Sequence, residues 1–159
     1  MKLRDIVVTQ AIVPSLLSTK RDDAIRELVD ALVSAGRIAA ADRDTFVKSI
    51  IARENRGSTG FGHGVAVPHA KTSSVKQIAV AVGISRTGVE FNALDRQPVH
   101  SIFLLISPET RPEAHLDAME AIFGNLSRDQ FRRFLRQAQT VDDIVTLLDE
   151  ADARQATSR

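Results

Sequence analysis

Between Asp22 and Ala35 the apolar residues Ala24, Ile25, Leu28, Val29, Leu32 and Val33 recur three and four positions apart with polar residues between them. That period predicts an amphipathic helix, and Gly36 supplies its stop. A second stripe, Phe46, Val47, Ile50 and Ile51, predicts a helix over about 40–54, with Asp42 and Asp44 near the end where the helix dipole favours carboxylates. Upstream of both, the segment from Met1 to Pro14 holds only short apolar pieces broken by Thr9 and Gln10, and its pattern assigns no element.

In the middle of the chain the period changes from helical to alternating. Ile78, Val80, Val82 and Ile84 alternate with small residues within 75–85, which predicts a strand. Ile102-Phe103-Leu104-Leu105-Ile106, inside 99–107, is a continuous apolar run suited to a central strand buried on both faces. Val65-Ala66-Val67 reads as a short strand that places His69 at its end, Val89-Glu90-Phe91 as another, and Asp95-Arg96-Gln97-Pro98 as a turn. Beyond Pro108 the helical pattern returns over 113–123, 129–137 and 141–148, the last with Thr140 as its cap candidate. Helices, then strands, then helices imply an α/β fold: a single-domain sandwich over residues 1–150, with a mixed β-sheet flanked by helices on both faces. Residues 151–159 are expected to form a polar, frayed C-terminal tail.

Composition narrows the functional classes. Lys+Arg 21 against Asp+Glu 20 leaves a net charge of +1, no basis for expecting nucleic acid or an acidic membrane as partner. The chain has no cysteine, so thiolate nucleophiles, disulfides and cysteine metal sites are all excluded. Neither a signal-peptide core nor an apolar stretch of the roughly 20 residues needed to cross a bilayer is present, and a cytoplasmic location without membrane insertion is expected.

Chemistry is therefore sought among the histidines. Gly57-Ser58-Thr59-Gly60-Phe61-Gly62-His63-Gly64 carries four glycines in eight positions and must be a loop. It leads through Val65-Ala66-Val67 and Pro68 to His69, a context that fixes the backbone and presents the imidazole. A neutral imidazole is a competent nucleophile near pH 7 and can carry a phosphoryl group where donors neutralise the oxygens. Glycine-loop amides, at Gly62, His63 and Gly64, and the guanidinium of Arg53 are candidates for that task. The loop lacks the Lys-Ser/Thr of a nucleotide-binding P-loop and precedes its strand.

The stretch from Arg53 to Pro68-His69 resembles the active-site signature of enzyme IIA of the bacterial phosphoenolpyruvate-dependent phosphotransferase system, of the fructose/mannitol type and particularly its nitrogen-regulatory branch. Phe91-Asn92-Ala93-Leu94-Asp95-Arg96-Gln97-Pro98-Val99 and Pro108 through His115-Leu116 resemble later segments of the same family, in the same order. The resemblance implies that His69 is reversibly phosphorylated by a small histidine phosphocarrier protein. It implies that His115 positions the ring or contacts phosphoryl oxygens, and that Arg53 contacts the phosphoryl group or an acidic partner. It implies no metal and no organic cofactor. Onward partners would be an enzyme IIB, or a regulated transporter or kinase.

Two features depart from the family pattern. His63 stands where the nitrogen-regulatory branch usually has a small polar residue, and it is open to a phosphoryl contact, a metal contact or a solvent-facing role. Thr110-Arg111-Pro112-Glu113 also differs from the family's segment before the second histidine. His100, at the start of the apolar strand, reads as a packed or edge residue. Arg128, Arg132, Arg133 and Arg136 read as the solvated face of an amphipathic helix.

Overall fold

The computed structural model describes residues 1–157 of the chain. Its centre is β5 (Val99–Pro108), whose run from Ile102 to Ile106 is wholly buried. Because side chains alternate across a strand, this one run feeds two cores. Ile102, Leu104 and Ile106 face the layer of α2 (Arg21–Ser34) and α3 (Arg43–Arg56). Phe103 and Leu105 face α4 (Pro112–Leu126), α5 (Asp129–Gln137), α6 (Val141–Thr157) and the single turn α1 (Leu3–Ile6). β4 (Ala79–Val89) pairs antiparallel with one edge of β5, and β1 (Val7–Val13) lies parallel to β4 on the far side. The expected mixed sheet between helical layers is what forms.

The other edge of β5 carries a strand broken in two. β2 (Val65–Ala66) pairs with Ser101 and Ile102, and β3 (His69–Thr72) pairs with Leu105 through Pro108, both parallel. The break falls at Val67-Pro68, where Pro68 has no amide to donate but its carbonyl still accepts from the Leu105 amide at 2.9 Å. His69 therefore opens a strand instead of closing one, a correction to the position expected from the apolar run before it.

Three further differences have identifiable physical causes. β1 was not legible because it bulges: Val7 and Ile12 align with Val80 and Val82, so five positions of one strand span two of the other. Thr9 and Gln10 lie in that bulge, exposed, and erase the alternation. Val89 belongs to β4 across a second irregularity, while Glu90 makes only an isolated bridge to Lys20. The expected frayed tail is instead helix: α6 continues to Thr157, with Ala151 and Asp152 buried. The Asp152 carboxylate accepts the amides of Leu3 at 2.7 Å and Arg4 at 3.0 Å, capping α1 and tying the two ends of the chain together. The last two positions of that tail, 158 and 159, lie outside the described residues.

Helix ends follow sequence closely. Gly36, at φ +77°, closes α2 with its amide on the Val33 carbonyl and the Arg37 amide on Leu32, a Schellman stop. Thr140 and Asp143 cap α6 reciprocally, the Asp143 amide donating to Thr140 Oγ1 at 3.1 Å and Asp143 Oδ2 accepting from the Gln139 and Thr140 amides. No helix among the described residues is long and apolar enough to cross a membrane.

Candidate active site

His69 begins β3 half-buried, and its Nδ1 lies 2.9 Å from the carbonyl oxygen of Val67. A carbonyl can only accept, so Nδ1 carries the ring proton and donates it, leaving Nε2 with its lone pair. Burial pushes the His69 pKa below the ordinary histidine value, opposed by the Val67 carbonyl and assisted by the positive charge of Arg53. The ring is accordingly neutral at pH 7.

His115 arrives from another element. Pro112 opens α4, where a missing amide costs nothing, and the His115 amide closes the first turn onto the Arg111 carbonyl at 3.2 Å. That turn drives the imidazole against the sheet, where it is only 4% exposed, with Nδ1 at 2.5 Å from the hydroxyl of the fully buried Ser107 on β5. The rings of His69 and His115 lie 5.5 Å apart between centroids, inclined by 55°. Burial, then the proximity of His69 and Lys71, lowers the His115 pKa to about 4. Both imidazoles are thus held uncharged side by side.

They open into a cleft of about 750 Å³ that also receives Arg53 and Arg56 from the end of α3, Ser58 and Thr59 from the loop, and Lys71 from β3. Lys71 is two residues beyond His69 and so projects from the same face of the strand. Phe61, Leu116, Met119 and Phe123 form the apolar wall, with the Phe61 and Phe123 rings 4.9 Å apart. Three cationic side chains and two neutral imidazoles around one cleft make a receptor for a compact anion.

The three principal residues, Arg53, His69 and His115, are brought together as expected. Gly62, His63 and Gly64 are not, and the amide cradle expected there does not form on the cleft. His63 and Gly64 line a separate depression with His100 and the arginines of α5, while the Gly64 carbonyl is spent on the amides of His100 and Ser101. Two loop amides beside the cleft, those of Thr59 and Gly60, are consumed internally. The Thr59 amide and hydroxyl donate to the Glu54 carboxylate, and the Gly60 amide donates to Ser58 Oγ at 3.0 Å. The positive charge at the cleft comes from the side chains of Arg53, Arg56 and Lys71. Arg56, Lys71 and Ser107 were missed by sequence reasoning. Lys71 was detectable from its two-residue offset along the strand, whereas Ser107 looked like one more position in a buried run. His100 is the packed residue expected, its Nδ1 2.9 Å from the Ser85 carbonyl. The arginines of α5 lie mostly on a solvated face, Arg132 and Arg133 paired with Asp129.

The fold is thus an α/β sandwich, a mixed sheet between helical layers, that presents two neutral imidazoles at a cationic cleft. Residues 6–151 match the family described as phosphoenolpyruvate-dependent sugar phosphotransferase system, EIIA 2, and the chain belongs to that family of phosphotransferase phosphoryl carriers. It is 34% identical over 152 residues to the PTS system fructose-specific EIIABC component of Bacillus subtilis, a match covering 96% of this chain and 24% of that protein. The chain thus spans about a quarter of that relative's length. It is 30% identical over 151 residues to a nitrogen regulatory protein of Bradyrhizobium diazoefficiens, covering 92% of this chain and 96% of the relative. Among solved structures it resembles the nitrogen regulatory protein IIA-Ntr of Neisseria meningitidis, with 30% identity, a TM-score of 0.81, and coverage of 91% and 97%. The fold is also that of Escherichia coli enzyme IIA mannitol in its complex with phosphorylated enzyme IIB mannitol, at 19% identity, TM-score 0.74, and coverage of 89% and 95%.

Proposed function

We propose that this protein carries a phosphoryl group on Nε2 of His69, taken from a histidine phosphocarrier protein in the cytoplasm, and that its phosphorylation state is a regulatory signal of the nitrogen-regulatory type. The observation that carries the reading is the hydrogen bond from Nδ1 to the Val67 carbonyl, which commits the ring proton to one nitrogen and leaves the other as nucleophile beside Arg53, Lys71 and His115. In the transfer, the Nε2 lone pair attacks phosphorus, a new P–N bond forms, and the P–N bond to the donor's imidazole breaks with its electron pair returning to that ring. Nδ1 keeps its proton, hydrogen-bonded to the Val67 carbonyl, and that carbonyl stabilises the positive charge that His69 gains. In the tautomer where the Ser107 hydroxyl donates to Nδ1, His115 carries its proton on Nε2 and hydrogen-bonds a phosphoryl oxygen without transferring the proton. Arg53, Arg56 and Lys71 neutralise the remaining charge.

The regulatory assignment rests on the likeness to nitrogen regulatory proteins over nearly their full length. The fructose-specific relative, at 34% identity, favours a second reading: transfer onward to an enzyme IIB for sugar uptake. Escherichia coli enzyme IIA mannitol, which has this fold, is in complex with phosphorylated enzyme IIB mannitol, and this supports that reading. Incubation with labelled phosphoenolpyruvate, enzyme I and the phosphocarrier protein tests the shared step. One acid-labile phosphoryl group per chain, absent from His69→Ala, is expected; no label, or undiminished label in that variant, overturns it. Adding a fructose-type or mannitol-type enzyme IIB separates the two destinations, since only a transport component passes the label on.

A further inference from the structure

Glu54 occupies a position that simple electrostatics disfavours. It lies in the last turn of α3, where the carbonyl end of the helix repels a carboxylate, and it is only 2% exposed. No cation forms an ion pair with it among the described residues, and its neighbour Arg53 donates to the Gly57 carbonyl at 3.0 Å. The carboxylate is satisfied by one residue. Both its oxygens accept the Thr59 amide, at 3.3 and 3.1 Å, and Oε1 also accepts a short hydrogen bond from the Thr59 hydroxyl. Thr59 and the adjacent Ser58 wall the cleft that holds His69, and Ser58 Oγ in turn fixes the Gly60 amide.

We propose that Glu54 is a positioning residue for phosphoryl transfer: through Thr59 it holds the Ser58–Gly60 arc against the cleft, and it supplies the counter-charge to Arg53 and Lys71 beside His69. The second part agrees with the field at the ring, where Glu54 favours the protonated imidazole and Arg53 and Lys71 disfavour it. This inference rests on His69 being the phosphoryl acceptor.

The test compares the full-length protein with Glu54→Gln, Thr59→Val and Thr59→Ser. Side-chain NMR titration of His69 is read beside the rate of phosphorylation by the phosphorylated carrier protein across pH. Glu54→Gln removes the charge and one acceptor: His69 should titrate at lower pH, the acid limb of the rate profile should follow it, and the rate should fall about tenfold or more. Thr59→Val should lose a similar factor in rate through the hydroxyl, with a smaller movement of the His69 titration, because the charge remains. Thr59→Ser should stay within about twofold of the wild type. A Glu54→Gln protein that keeps both the His69 titration and the rate overturns the inference. If Glu54→Gln does not fold, a Thr59→Val protein with wild-type rate overturns it instead. A wild-type chain that accepts no phosphoryl group defeats the proposed function, whereas a phosphorylated wild type with unchanged variants defeats only the role of Glu54.

Discussion

Lowering the pH from neutrality to about 4 forces a proton onto His115, and the structure says what that costs. The ring is 4% exposed, its Nδ1 is occupied by Ser107, and His69 and Lys71 stand nearby, so burial first and neighbouring charge second hold its pKa at about 4 instead of the ordinary 6.5. The unfolded chain therefore binds this proton at a higher pH than the folded one, and between those two values stability must rise with pH. The contribution of the neutral ring is complete above pH 6.5 and is withdrawn as the pH falls toward 4. At about 1.36 kcal/mol per pH unit, it amounts to about 3 kcal/mol, a large share of the roughly 5–15 kcal/mol that holds a domain together. Carboxylates also titrate toward the acid end, so the measurement is a difference. Urea unfolding of the wild type and of His115→Gln is followed at a series of pH values. The variant is expected to be the less stable at pH 7, because a packed ring is lost, and the gap should close by about 3 kcal/mol on approaching pH 4. Two curves that run parallel across this window would refute the reasoning.

The Ser107→Ala substitution leaves His115 Nδ1 buried without a partner, which should cost about 1–3 kcal/mol in urea unfolding and slow phosphorylation of His69, read in single-turnover assays. Gly60→Ala would place a Cβ 2.8 Å from the Cβ of Ala93 and 3.1 Å from its Cα, so the loop must shift; a loss of about 1–3 kcal/mol and weakened phosphorylation are expected, checked by denaturation and label incorporation. Asp152→Ala strips the buried amide of Leu3 and the part-buried amide of Arg4 of their acceptor, and a loss of about 1–3 kcal/mol in thermal or urea unfolding should leave the phosphorylation rate unchanged.

In the proposed transfer the phosphoryl group meets charged side chains of the cleft. Backbone amides at a glycine loop are permanent donors, whereas here those at Thr59 and Gly60 are already bonded within the loop. The loop is thus a wall whose shape is set from beneath by Glu54, and the charge comes from α3 and β3. Its glycines serve geometry: Gly60 permits the close approach to Ala93, and Gly62 and Gly64 adopt φ of +115° and +75° that other residues reach with strain. His63 takes a φ of +60° between them and faces a different depression.

What the amino-acid order determined by itself was whatever a local period or a local stop can encode. The stripes of α2 and α3, the buried run of β5, the Gly36 stop and the Thr140 cap are interactions among residues a few positions apart, so their physics is present in a short window of sequence. The bond from His69 to Val67 is of the same kind, spanning two residues. Tertiary structure decided the rest. β1 became a strand only because β4 offered it a ladder that tolerates a bulge, and the polar end of α6 stayed helical because Asp152 found the amides of Leu3 and Arg4 at the opposite end of the chain. Likewise the pairing of His115 with Ser107, the arrival of Arg56 at the cleft, and the departure of His63 from it depend on how α3, β3, β5 and α4 pack together. Hydrogen bonds and burial between distant segments have no period, and they exist only once the sheet has brought those segments together.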